Sequence, residues 1–320
     1  MPAEAADEKV RRRDDGAGEH DEPREPDDRE LARARASPRP CKSRVQSLVS
    51  GAQGQFRRSQ GSAARNNVPV SLQVLTWADR PDLAERGPPS DAIWPEYNRH
   101  GDVMNEWWGP LLEELPDYQF ALYDAGADEV VAEAHTGPLT WDGDDAALPG
   151  SIDEALQAII ATRRAGQPVD TLCALAAEVA PTARRRGLAA ELLKGMRELA
   201  ARRRLRRFIA PVRPSWKERY PLAPIERYAT WRRPDGQLLD PWMRLHERLG
   251  ARVATAIPQS LRITATIGEW EAWIDLPLPE SGSYVFPHGL APLIVDRDAD
   301  RGTYWEPNVW MVHPDLPASG

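Results

Sequence analysis

The stretch from Thr171 to Arg204, TLCALAAEVAPTARRRGLAAELLKGMRELAARRR, constrains the fold more than any other part of the chain. Its first ten residues are almost unbroken apolar, with Glu178 as the only charge. A run of that length and character is a central strand covered on both faces. Pro181 and a basic turn follow, and Gly187 opens a helical pattern. Leu188, Leu192, Met196 and Leu199 then recur on one face, as an amphipathic helix requires. Arg202, Arg203 and Arg204 gather at its end, where the helix dipole favours cations. A buried strand feeding a packed helix belongs to a layered sheet-and-helix domain.

The flanking sequence extends that picture. Strand patterns are predicted over 70–77, 118–124, 129–137, 206–212, 251–257 and 260–266, with further candidates over 292–296 and 308–312. The pair 118–124 and 129–137, joined by AGAD, reads as a hairpin. Helices are predicted over 92–108 and over 109–115, the latter with Pro110 in its first turn. A capping box of Ser151 with Glu154 starts a helix that Gly166 closes, and Thr266 with Glu269 forms a second box. Pro241 and Gly250 bound one more helix. The fold class is α/β (α+β): a mixed central sheet of six to seven strands flanked by helices, with a long strand-to-helix insertion and an extended C-terminal segment.

Composition narrows the function. Residues 1–67 mix both charges with Pro, Gly and Ser, and read as a disordered charged extension ahead of a domain over 68–320. The chain has 41 Lys+Arg against 49 Asp+Glu, a formal net charge of -8, which argues against a nucleic-acid partner. Cys41 and Cys173 are its two cysteines and make no CxxC pair, and the six histidines make no HxxxH pair. Neither a disulfide scaffold nor a metal is expected. The sequence shows no apolar run long enough to span a membrane and no signal-peptide pattern, so a cytoplasmic protein without a membrane partner is expected.

The basic turn poses the functional question. The first turn of a helix offers free amides at the positive end of its dipole, and small residues let a phosphate approach them. Gly187 and Ala189 are small, Leu188 between them belongs to the core, and Arg184, Arg185 and Arg186 add charge. The same features also suit a solvated helix that merely begins with basic residues. No G-x-x-x-x-G-K-[ST] and no strand-linked G-x-G-x-x-G occurs, so nucleotide hydrolysis and nicotinamide chemistry lack their usual loops.

The residues Val179-x-Pro181-x-x-Arg184-Arg185-x-Gly187-Leu188-Ala189, followed by Leu192-Leu193, resemble the acyl-CoA signature of the GCN5-related N-acetyltransferases. Downstream, RLHERLGARV is similar to that family's late helix and the strand after it. The resemblance covers about residues 70–260. It implies acetyl-CoA or another acyl-CoA as donor and a small-molecule amine as acceptor, with a homodimer as an open possibility. Val179, Ala180 and Pro181 would run along the pantetheine arm, and Arg184 to Ala189 would hold the pyrophosphate. The thioester would lie where this strand and the strand over 206–212 splay apart.

Two residues are candidates for the chemistry. His246 occupies the late-helix position at which the family often carries a tyrosine that protonates the leaving thiolate; it is read as that donor or as a surface histidine. Glu178 is read as the base or as a structural hydrogen-bond acceptor. Cys173 reads as core. The insertion over 211–242 is expected to wall the acceptor through Trp216, Tyr220, Tyr228 and Trp231, with Arg219, Arg227 and Arg232 as anion anchors, or else to pack the sheet edge. Alternatives to acetyl transfer are an acyl-CoA sensor without catalysis and another thioester reaction, decarboxylation or hydrolysis.

Overall fold

A computed structural model describes residues 72–88, 93–183 and 187–317. The predicted extension over 1–67 and the arginines Arg184, Arg185 and Arg186 lie outside the described residues. The strands are β1 (Leu72–Thr76), β2 (Gln119–Asp124), β3 (Glu129–Leu139), β4 (Thr171–Val179), β5 (Arg207–Val212), β6 (Arg252–Ala265), β7 (Gly282–Tyr284), β8 (Leu293–Asp296) and β9 (Arg301–Val312). The helices are α1 (Asp102–Glu114), α2 (Ile152–Ala165), α3 (Leu188–Arg202), α4 (Ile225–Tyr228), α5 (Pro241–Arg248) and α6 (Ile267–Ile274).

All nine strands join one sheet in the order β1-β2-β3-β4-β5-β9-β8-β7, with β6 on the other edge of β9. The sheet is therefore larger than the six to seven strands expected. The stretches over 251–257 and 260–266 form one strand, because β6 stays paired to β9 across two register shifts, the second of which, between Ile257 and Leu261, absorbs Pro258 and its neighbours. The N-terminal helices also differ. Residues 92–108 hold a short 3₁₀ turn, Glu96–Arg99, and then α1, which runs through Pro110 rather than restarting there.

Two apolar layers sandwich the sheet. One face carries α3, α4 and α5 with Leu192, Leu193, Met196, Phe208, Tyr228 and Met243. The other carries α1, α2 and α6 with Leu111, Ile159, Ile160, Trp270 and Trp310. The predicted caps at Gly166 and Thr266 hold, and the Ser151–Glu154 box forms by half. Ser151 accepts from the Glu154 amide, Gly166 adopts a left-handed φ of 61°, and Thr266 with Glu269 closes a reciprocal box. Glu154 departs from the predicted box by accepting from Gly150. Among the described residues no helix is long and apolar enough to cross a membrane.

Candidate active site

Among the described residues β4 and β5 are the only strands paired in parallel, and the pairing is brief. Thr171, Leu172 and Cys173 match Arg207, Phe208 and Ile209, and from Ala174 onward β4 has no β5 partner among the described residues. A register shift in the β3–β4 pairing leaves Leu175 as an extra residue in β4 at this point, and such a bulge bends a strand. The two strands thus part into a split in which the β5-facing edge of β4 has no strand partner among the described residues along Ala176, Ala177, Glu178 and Val179.

On the α3 face, the mouth of this split leads to Ala180, the 3₁₀ turn Pro181–Ala183 and Gly187. Gly187 caps α3 with a φ of 80°, and no side chain among the described residues caps the helix. A Cβ at Gly187 would meet nothing within 4 Å, so the glycine serves the left-handed backbone rather than a close approach from within the protein. Leu188 is buried, as expected of its core role, while Gly187 is exposed and Ala189 half-buried. These amides can receive an anion, the group the predicted pyrophosphate turn requires.

The opposite face of the split carries a charged cluster that was not expected. Glu133 on β3 faces Glu178 on β4 in register, and His135 faces Ala176. Glu133, His135 and Glu178 are each about 5% exposed, at 5%, 5% and 6%. One donor atom from each lies within 4.8 Å of the others, the one His and carboxylate cluster among the described residues compact enough to share a cation. Burial and the neighbouring Glu178 push the Glu133 carboxyl up to about 8, and burial also raises Glu178. Burial lowers His135 to about 4, so the imidazole is neutral.

Surrounding residues orient these groups. The Trp94 indole N–H donates to Glu178 Oε1 over 2.6 Å. Gln119 donates its amide to the carbonyls of Leu115 and Thr136, which leaves Gln119 Oε1 as the acceptor facing His135 Nδ1 at 3.3 Å. His135 Nδ1 is thereby the protonated nitrogen, and Nε2 carries the lone pair. Trp77 and Trp108 pack edge-on against the ring, with centroids at 5.4 Å and 5.2 Å. Glu133 Oε1 has no hydrogen-bond partner among the described residues, and the Gly87 backbone lies so close that a Cβ there would overlap the carboxylate.

The segment that holds Trp94 spans the split. Beyond Glu178 it reaches the β5 side, where the Tyr97 hydroxyl accepts from Arg213 at 3.2 Å and Asn98 donates to Glu306 at 2.9 Å. Arg213 and Glu306 pair at 3.0 Å. A separate cleft of about 540 Å³, lined by Asp153, Arg262 and Trp305 among others, includes none of these groups.

Several predicted site residues sit elsewhere. His246 is 1% exposed, with Nδ1 at 3.0 Å from His313 Nε2, and His313 stacks on Phe208. Phe208 lies in the paired part of β5, so His246 packs at the closed end of the split. Burial and the second imidazole hold it well below its usual value. It is neither a surface histidine nor one that titrates near neutrality, which corrects the reason for choosing it as proton donor. The apolar residues of the insertion, Ile225, Tyr228 and Trp231 among them, pack on the α3 face, while Arg213 near its start reaches Tyr97. Tyr228 is buried with its hydroxyl on Asp240 at 2.9 Å, and Tyr220 and Trp231 cluster on it. Trp216 lies under Arg219, and Arg232 pairs with Glu247. Cys173 is buried and its thiol is pushed up, as a core residue.

No family model matches the chain. It is 31% identical over 280 residues to an arginine N-acetyltransferase from Aspergillus versicolor, across 78% of this chain and 96% of that protein. Among solved structures it is similar to the loading GNATL domain of CurA from Lyngbya majuscula, at 16% identity, over 76% of this chain and 96% of that one, with a TM-score of 0.48. It is also similar to a GphF GNAT-like decarboxylase in complex with isobutyryl-CoA, at 18% identity, over 76% and 98% of the two chains, with a TM-score of 0.46. Kinship with the arginine N-acetyltransferase over nearly its whole length settles the class: the chain belongs to the GCN5-related N-acetyltransferase superfamily. It is an N-acetyltransferase that uses acetyl-CoA and a small amine.

Proposed function

We propose that this chain transfers the acetyl group of acetyl-CoA to a nitrogen of a small cationic acceptor of the arginine type. The observation that carries this reading is the carboxylate pair Glu133 and Glu178 on the face of the split opposite α3. Two carboxylates buried side by side are costly unless a proton or a cation joins them. The related protein's substrate, arginine, is such a cation.

The α3 face suits the donor. The free edge of β4 at Val179, with Ala180 and Pro181, would accompany the pantetheine arm. The amides of Gly187, Leu188 and Ala189, with Arg184, Arg185 and Arg186, would hold the phosphates. Bound there, acetyl-CoA supplies the electrophilic carbonyl. The chain's own part is to hold the acceptor nitrogen at the split, with Glu178 as its ionic partner and the tryptophans Trp77, Trp94 and Trp108 limiting water around it.

The test is a product assay with the purified full chain and acetyl-CoA. Arginine, agmatine, a neutral amine and an alcohol are offered in parallel, and acetylated product is measured by mass spectrometry alongside thiol release. Acetylated arginine or agmatine, with thiol release dependent on acceptor, supports the reading. Thiol release without any acceptor would point to hydrolysis or decarboxylation instead. Acetyl-CoA binding with no product from any acceptor would point to a sensor.

A further inference from the structure

We propose that Glu133, His135 and Glu178 form a three-acceptor socket for the protonated nitrogen that becomes acetylated, in which Glu178 holds the charge and Glu133 takes the proton. The inference deepens the proposed function and rests on it.

Three acceptor atoms no more than 4.8 Å apart can surround one central atom at about 2.8 Å, the length of a charge-assisted N–H···O bond. The environment of each group assigns its role. Glu178 Oε1 already receives the Trp94 N–H at 2.6 Å, and that bond favours the anion. Glu133 is 5% exposed and its Oε1 has no partner among the described residues, so it is the acceptor free to bind a proton. His135 presents the Nε2 lone pair, because Gln119 Oε1 engages Nδ1. No other titratable side chain contacts the three among the described residues: their neighbours are Trp77, Trp94, Trp108, Gln119 and the Gly87 backbone. Two carboxylates whose surroundings differ in this way divide the tasks of anion and base.

The step balances. The nitrogen enters protonated and gives one proton to Glu133 Oε1. Its freed lone pair forms the C–N bond to the thioester carbon, the C–S bond breaks, and that electron pair leaves on the CoA sulfur. The second proton shed by the nitrogen neutralises the thiolate, and Glu133 returns its proton to solvent. The socket recognises an ammonium or a guanidinium, and excludes a neutral hydroxyl.

The experiment compares wild type, Glu133→Gln and Glu178→Gln across pH 6 to about 9, a range that brackets the tuning of catalytic carboxylates toward neutrality. Tandem mass spectrometry of the product locates the acetyl group and so tells ammonium from guanidinium. The expected results are a rise of wild-type kcat with pH, loss of that limb in Glu133→Gln together with a fall of at least about 100-fold in kcat, and a raised acceptor KM in Glu178→Gln. Both variants should keep the wild-type thermal shift with acetyl-CoA. If Glu133→Gln does not fold, Glu133→Asp is measured, which should retain the limb at reduced turnover. Wild type that acetylates arginine while Glu133→Gln keeps its turnover and pH limb would overturn the socket and leave the proposed function standing. Activity lost to a chelator and restored by a divalent ion would also overturn it, by assigning the cluster to a metal. Wild type that makes no acetylated product at all would instead sink the function on which it rests.

Discussion

Trp94 donates its indole N–H to Glu178 Oε1 across 2.6 Å, tying the segment before α1 to the central strand β4. The bond fixes the carboxylate that the proposed function assigns to the acceptor's charge. It also places an aromatic ring on the Glu178 face of the split. Hydrogen bonds to charged groups contribute about 1.5–3 kcal/mol, so removing the donor should be felt. Trp94→Phe is expected to raise the acceptor KM about tenfold or more, with acetyl-CoA binding unchanged. Steady-state kinetics at fixed acetyl-CoA measures this.

The Glu133 carboxyl is raised from its ordinary 4.5 to about 8. Between those values the folded protein keeps a proton that the unfolded chain has released. Its contribution to stability is therefore complete below 4.5 and is lost as pH rises through 8. His135 acts in the opposite sense, but only below its ordinary 6.5. Thermal unfolding of the ligand-free protein is thus best compared between pH 6.5 and 8. The wild type should lose Tm across that window, and Glu133→Gln should lose less. Equal slopes would contradict the assignment.

Gly187 holds a φ of 80° at the head of α3 in open space. An alanine there meets no atom but must adopt a left-handed backbone, at a cost of about 1–2 kcal/mol. Gly187→Ala should lower Tm modestly and weaken acetyl-CoA binding, while the acceptor KM stays near wild type. Calorimetric titration with acetyl-CoA would separate the two effects.

His246 and His313 share a buried hydrogen bond of 3.0 Å. His246→Phe leaves His313 without that partner, and an unsatisfied buried polar group costs about 1–3 kcal/mol. The variant should therefore be less stable, with kcat per folded molecule preserved. A fall in kcat at unchanged Tm would restore His246 as a proton donor.

Much of the scaffold was legible because local signals agreed. The apolar run of β4, the leucine stripe of α3 and the caps at Ser151, Gly166 and Thr266 each depend on nearby residues alone. The merging of two predicted strands into β6 was not legible, since Pro258 reads as a break and only the long partner β9 keeps the register. The acid cluster was half legible. Glu178 stood out as the lone charge in an apolar strand. Glu133 and His135 carried the same signal at alternate positions of β3, one face of a strand, but they read as ordinary hairpin residues. Only the β3–β4 register shows that they meet Glu178. Trp94 was hidden in a segment that reads as helix, and its bond to Glu178 joins residues 84 positions apart.

The most direct test of the central claim is the kcat/KM for acetyl transfer from acetyl-CoA to arginine, in wild type and Glu178→Gln measured side by side. Losing a charge partner in a buried site costs about 3–5 kcal/mol, a fall of at least 100-fold. The account predicts that fall in Glu178→Gln with an unaltered affinity for acetyl-CoA. A Glu178→Gln enzyme that acetylates arginine as well as wild type would contradict it.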